Sequence, residues 1–266
     1  MAKIIALANH KGGVCKTTLS VSLADAFARD GFDVLLIDLD PQSNTTRLVY
    51  SFDETPAVTI ERVLEGSASI AEAIVEKTRI PGVHLIGSTL KLASWERSLQ
   101  QTPFSSTALL TAKLAALDDA YDLIILDTPP ALNFLAANAL AAADAVLVPV
   151  ESGSKLSLIG TDDMLDFIRQ ARSANPRLVF GGAILTKHDA RKKMCKIAAG
   201  AVREYYDHVL TATLPPTTDV HKAQAQGQTI LQHDRDHTAS KEVVRMAREI
   251  AANLKLQKHE VQHGEE

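Results

Sequence analysis

Cysteine is scarce in this chain. Cys15 and Cys195 are the only two among 266 residues, with neither a CxxC spacing nor a neighbouring cluster of ligands. That argues against a disulfide framework and a cysteine-built metal site, and it fits a reducing compartment. Basic charge is not in excess either: the formal net charge is −4, so any affinity for nucleic acid must come from local patches. No apolar run approaches the roughly 20 residues of a spanning helix. The opening "KIIALAN" is short and runs straight into glycines, unlike a secretory leader. These absences lead to the expectation of a soluble cytoplasmic protein.

What is present is enough apolar content, 46%, for a sizeable core. Short apolar runs fall at 3–9, 33–39, 83–88, 121–128, 145–150, 178–186 and 208–215. Helical patterns lie between them, near 17–30, 59–77, 106–119, 132–143, 155–173, 193–206 and 239–256. Near-continuous apolar strands separated by helices predict an α/β fold with a mostly parallel twisted sheet covered on both faces. Neither an internal repeat nor a low-complexity linker divides the chain. We expect one domain over 1–256, with 257–266 a flexible tail. In such sheets, function concentrates at the carboxyl ends of the strands.

Three of those ends carry chemistry. The first reads His10-Lys11-Gly12-Gly13-Val14-Cys15-Lys16-Thr17-Thr18. Gly12 and Gly13 would let the backbone approach a polyphosphate, Lys16 would bind it, and Thr17 would hold Mg²⁺ at a helix N-terminus. The second, "VLLIDLDPQSN", carries Asp38 and Asp40. Alternation along the strand would put both carboxylates on one side, to hold metal-bound water and orient a nucleophile or to cap the turn. The third, "YDLIILDTPPAL", delivers Asp127 as the acid expected to hold Mg²⁺ through water.

These residues closely resemble the ParA/MinD ATPases, whose phosphate loop (a deviant Walker A motif) has an extra lysine near its start. Lys11 matches that lysine, Lys16-Thr17 the ordinary pair, "DLDPQ" the second motif and "ILDTPPAL" the third. The likeness continues through "LIGSTLKLASWE", "AADAVLVPV", "LTKHDAR" and "LPPTTDVHKAQAQGQTIL", nearly the whole chain. The resemblance implies a single-domain P-loop NTPase fold and an ATP-driven sandwich homodimer in which Lys11 crosses to the other subunit's phosphates. It also implies that Gly12 to Thr18 bind nucleotide, that Asp40 positions the attacking water, and that Asp38 and Asp127 support Mg²⁺. The base-contacting region, around Thr186, Lys187 and Pro216, follows from the resemblance alone. So does ATP rather than GTP, since no guanine-reading NKxD motif appears.

One residue departs from the pattern. Cys15 stands where the family has glycine, so a left-handed backbone there is expected to cost about 1–2 kcal/mol and to slow or weaken the ATPase. The adjoining helix N-terminus is expected to favour its thiolate.

The acidic end "KLQKHEVQHGEE" disfavours membrane targeting. Residues 187–203 carry six cations (Lys187, Arg191, Lys192, Lys193, Lys196 and Arg203) against one acid, Asp189. Lys241, Arg245, Arg248 and Lys255 form a helical stripe. No aromatics interleave with either set, which points to duplex phosphates rather than stacked bases. In resembling DNA binders an arginine after "LT…D" contacts DNA, and Arg191 matches it. A second falls near Asp219 here, where Lys222 could substitute. No helix-turn-helix precedes the first strand, so the chain is most like partition or cargo-positioning ATPases that act with a ParB-like adaptor on the nucleoid. A MinD-like membrane ATPase and a scaffold impaired in hydrolysis at Cys15 are the alternatives.

Overall fold

In the computed structural model, residues 2–99, 108–117, 120–153 and 160–258 are described. Seven strands form one sheet in the order β3-β4-β2-β5-β1-β6-β7. They are β1 (Lys3–Leu7), β2 (Val34–Asp38), β3 (Ile74–Val75), β4 (Val83–Ile86), β5 (Leu123–Asp127), β6 (Ala145–Glu151) and β7 (Val179–Thr186). All neighbours pair in parallel except β3, which runs antiparallel along β4.

Alternation sorts the central strands between two cores. Ile5, Leu7, Leu36 and Ile125 face α1 (Lys16–Arg29), α10 (Ile230–His233) and α11 (Thr238–Leu254), meeting Leu23, Phe27, Val243 and Met246. Ala6, Leu35, Ile37, Ile124 and Leu126 face the opposite way. There they meet α3 (Ile60–Glu65), α4 (Lys91–Leu99), α5 (Leu109–Leu114), α6 (Phe134–Ala142), α7 (Thr161–Ala174) and α8 (Lys193–Tyr205). Both faces are dry, which is why these strands read as continuous apolar runs. Two short helices remain, α2 (Asn44–Val49) after β2 and α9 (Asp219–Ala225) before α10.

Two expected elements are corrected. The run at 208–215 forms no strand: only Val209 and Leu214 make isolated bridges, to Ala183 and Thr186 of β7. Its alternate residues Leu210, Ala212 and Leu214 bury against the sheet, so it is apolar without joining a ladder. The helix expected over 59–77 stops at Glu65, where Gly66 turns left-handed (φ 80°), and the chain resumes as a single 3₁₀ turn and β3. Beyond α11, Leu256 packs on the core and the Lys258 ammonium lies 5.0 Å from the Phe32 ring centre. The rest of the expected tail, 259–266, lies outside the described residues, as do 106–107, 118–119 and 155–159 of the expected helices.

Candidate functional site

The loop after β1 is fastened before it turns. Asn9 donates from Nδ2 to the Pro149 carbonyl at 2.7 Å and accepts the Lys11 N–H on Oδ1 at 3.0 Å, tying the loop to β6. Val14 is buried beneath it while Gly12 and Gly13 stay exposed. Cys15 then takes the left-handed conformation (φ 66°, ψ 28°), and its carbonyl accepts the Leu19 N–H at 2.9 Å, opening α1. The Lys16 ammonium folds back over the loop to the Lys11 carbonyl at 2.9 Å. Gly12, Gly13 and Cys15 to Thr18 line a cleft of about 1080 Å³, together with Asp40, Pro130, Lys187 and Pro216. An α-helix N-terminus opening beside a glycine loop is a built-in anion site.

Parallel register brings the acids beneath that cleft. Asp38 pairs with Asp127 across β2 and β5, and Asp127 with Leu7 across β5 and β1. Asp127 is fully buried, accepting from Thr17 at 2.8 Å, Thr45 at 2.6 Å and Ser20 at 2.9 Å. Asp38, also fully buried, accepts the Thr46 hydroxyl at 2.7 Å and the N–H groups of Thr46 and Asp40 at 2.9 and 3.0 Å. Asp40 reaches the cleft, its carboxylate accepting the Gln42 N–H at 2.9 Å. Burial, reinforced by the Asp127 charge, pushes Asp38 up to about 7. Burial likewise raises Asp127, against three hydroxyl donors, and Asp40, against the Lys16 charge. It lowers Lys16, opposed by Asp127 and Asp40, and lowers Lys11.

A family profile described as an AAA domain matches residues 2–180. The chain is 36% identical over 251 residues to the chromosome partitioning protein ParA of Caulobacter vibrioides strain NA1000, covering 93% of each. It is 33% identical to the sporulation initiation inhibitor protein Soj of Bacillus subtilis strain 168, over 95% of this chain and all of that one. The chain belongs to the ParA/MinD family of ATPases. Among solved structures, it superposes with a TM-score of 0.83 and 29% identity on cobyrinic acid a,c-diamide synthase of Mycobacterium smegmatis with bound ATP analog and magnesium, covering 96% of each.

Within this ParA/MinD fold, the expected site residues fall in two layers. Lys16, Thr17, Thr18 and Asp40 line the cleft, while Asp127 sits behind Thr17 and Asp38 behind Asp40. Asp38 therefore does not stand beside Asp40 as a second exposed carboxylate: its oxygens are occupied by Thr46 and the Asp40 backbone. The Cys15 thiol is the reverse of expectation. Burial pushes it up, and that outweighs the nearby Lys187 charge.

The basic candidates separate. Lys187 turns into the cleft and pairs with Glu151 at 3.1 Å. Arg191 is 92% exposed and chelates Asp189 at 3.0 and 3.1 Å. Lys192, Lys193 and Lys196 are exposed at the start of α8, and Lys222 pairs with Asp219 at 2.7 Å. Arg245 and Arg248 lie elsewhere, on α11 beside α1.

Several site residues carried no sequence signal. Thr45, Thr46, Ser20 and Ser88 all bind the strand-end acids or the Asp40 carbonyl, the last at 2.7 Å. Gln224 of α9 donates to Thr18 at 3.0 Å, closing one wall of the cleft. Hydroxyls and amides at such sequence separations leave no periodicity. Asn9 alone, at the end of an apolar strand, could have been suspected as a loop anchor.

Proposed function

We propose that the chain is a ParA-type positioning ATPase. It binds ATP with Mg²⁺ in the cleft, dimerises in that state, holds non-specific duplex DNA, and is released when a ParB-like adaptor stimulates hydrolysis. The observation that carries the reading is the cluster under the loop. Thr17 presents a hydroxyl to the cleft while bonded to the buried Asp127 at 2.8 Å, with Lys16 folded above.

That donor set fits Mg²⁺, which is usually held by one or two side chains plus substrate phosphates rather than by an all-protein cage. Thr17, backed by Asp127, would hold it, and the ion would neutralise charge on the terminal phosphates. The chain's own residues do the rest. The loop N–H groups and the α1 N-terminus hold the phosphates, and Lys16 supplies a cation whose attraction for them is strengthened by the low-dielectric surroundings. Asp40 orients the attacking water in a cleft whose floor Asp38 fixes. Lys11, at the loop's outer end, reaches across to the partner copy. Lys192, Lys193 and Lys196, with Arg191 and Lys222, meet the DNA backbone. The family relatives support the positioning role.

Turnover of radiolabelled ATP with and without duplex DNA tests this. Asp40→Ala is expected to keep ATP binding and lose at least about 100-fold in turnover, the scale for one positioned group. Lys16→Ala is expected to lose both. Wild-type turnover indifferent to Asp40→Ala would overturn the assignment.

A further inference from the structure

The α11 stripe does not lie on a bare helix face. Lys241, Arg245 and Arg248 border a groove of about 520 Å³ between α11, α1 and α10, with Arg29 and Arg235 on the other margins. Its floor is apolar: Ala26, Leu231, Val244, Ala247 and Ala251. Three of the five cations have acids already, Arg29 with Asp25 at 2.6 Å, Lys241 with Asp236 at 3.5 Å and Arg245 with Glu242 at 2.5 Å. Among the described residues, Arg235 and Arg248 have no ion-pair partner. Asp30 is the one acid on the lining.

We propose that this groove, apart from the nucleotide cleft, is a docking site for an acidic amphipathic helix of a partner protein. Duplex phosphates would engage the cations and leave the apolar floor empty. A helix with leucines at i, i+4 and i+7 and glutamates beside them fills the floor and meets the margins. Charge complementarity also excludes a basic segment: such a helix would meet Arg235 and Arg248, the two margin cations without an acid. A basic segment of any partner would therefore bind elsewhere, and this surface takes an acidic one.

The test uses the full 266-residue chain and three fluorescein-labelled probes. They are a helical peptide of leucine and glutamate in the i, i+4, i+7 pattern, a scrambled peptide of the same composition, and a short DNA duplex. By anisotropy the patterned peptide is expected to bind at least about tenfold more tightly than the scrambled one. Arg235→Gln/Arg248→Gln and, separately, Val244→Glu are each expected to weaken it about tenfold, with circular dichroism spectra unchanged. Equal binding of both peptides would overturn the proposal, leaving only a charged surface. So would duplex binding that depends on Arg248 but not on Val244, marking a DNA surface. Peptide binding that appears only when Glu260, Glu265 and Glu266 are changed to Gln would overturn it too, making the occupant this chain's own acidic end.

Discussion

Cys15 occupies a conformation that favours glycine, and its backbone does two jobs at once. The left-handed turn aims the loop, and the same residue's carbonyl accepts the first helical bond from Leu19. The strain of about 1–2 kcal/mol thus belongs to folding α1, not to closing the loop on a ligand. Cys15→Gly is therefore expected to change the ATP dissociation constant by less than about threefold, well short of the tenfold that 1.4 kcal/mol would bring. Cys15→Val, branched at a positive φ, is expected to destabilise the protein by about 2 kcal/mol or more in urea. The loop itself was legible because its glycines, lysines and threonine are contiguous. The two-layer arrangement of acids was not, because the hydroxyls that bury Asp38 and Asp127 come from other elements.

Asp38 also gives a pH signature. Its carboxyl, at about 7 in the folded chain, lies above the ordinary 3.8. The folded state then holds a proton that the unfolded chain releases first. This contribution to stability is fully present below about pH 4 and is lost as pH rises to about 7. His10 and His188, both lowered by burial, act in the opposite sense below about 6.5, so the comparison needs a variant. In Mg²⁺-free protein, Asp38→Asn is expected to gain on wild type by on the order of 2–4 kcal/mol between pH 4 and pH 8, measured by urea unfolding.

At the scale of elements, the parallel strands and long helices were legible because two dry faces force continuous apolar runs and amphipathic helices. Short helices were not. α2, α9 and α10 have four to seven residues, too few for a periodic stripe, and hold their places by side-chain bonds. Thr229 shows how. Its hydroxyl caps α10, accepting the Gln232 N–H at 3.0 Å, and donates to the buried Asp25 of α1, which also holds Arg29. The Gln232 side chain returns to the Thr229 N–H at 2.9 Å, completing a capping box. Thr229→Ala removes the cap and leaves Asp25 one donor short. A loss of about 2–3 kcal/mol in thermal or urea unfolding is expected. Because α9 and α10 pack together and Gln224 reaches Thr18, the same change is expected to raise hydrogen exchange along the cleft wall.

Taken whole, the molecule carries −4 yet exposes Lys192, Lys193 and Lys196 together at one strand end. Sequence reading grouped these lysines with Lys187 and Arg203. Folding turns Lys187 inward to Glu151 and carries Arg203 three turns along α8. The patch is smaller than its composition suggested. Replacing the three lysines with glutamine is expected to weaken non-specific duplex binding and to flatten its dependence on salt by up to about three units of slope, read from titrations between 50 and 500 mM salt. Unchanged slope would move the DNA surface elsewhere.

The antiparallel β3 has a wider bearing than its two residues. It closes the β4 margin of the sheet, and at the far margin β7 is shielded by the bridges to Val209 and Leu214. Neither border offers a second copy a long row of unpaired amides to template upon. Copies of this chain can therefore crowd together without fusing sheet to sheet. Any pairing of copies would then rest on side-chain surfaces, not on a shared sheet.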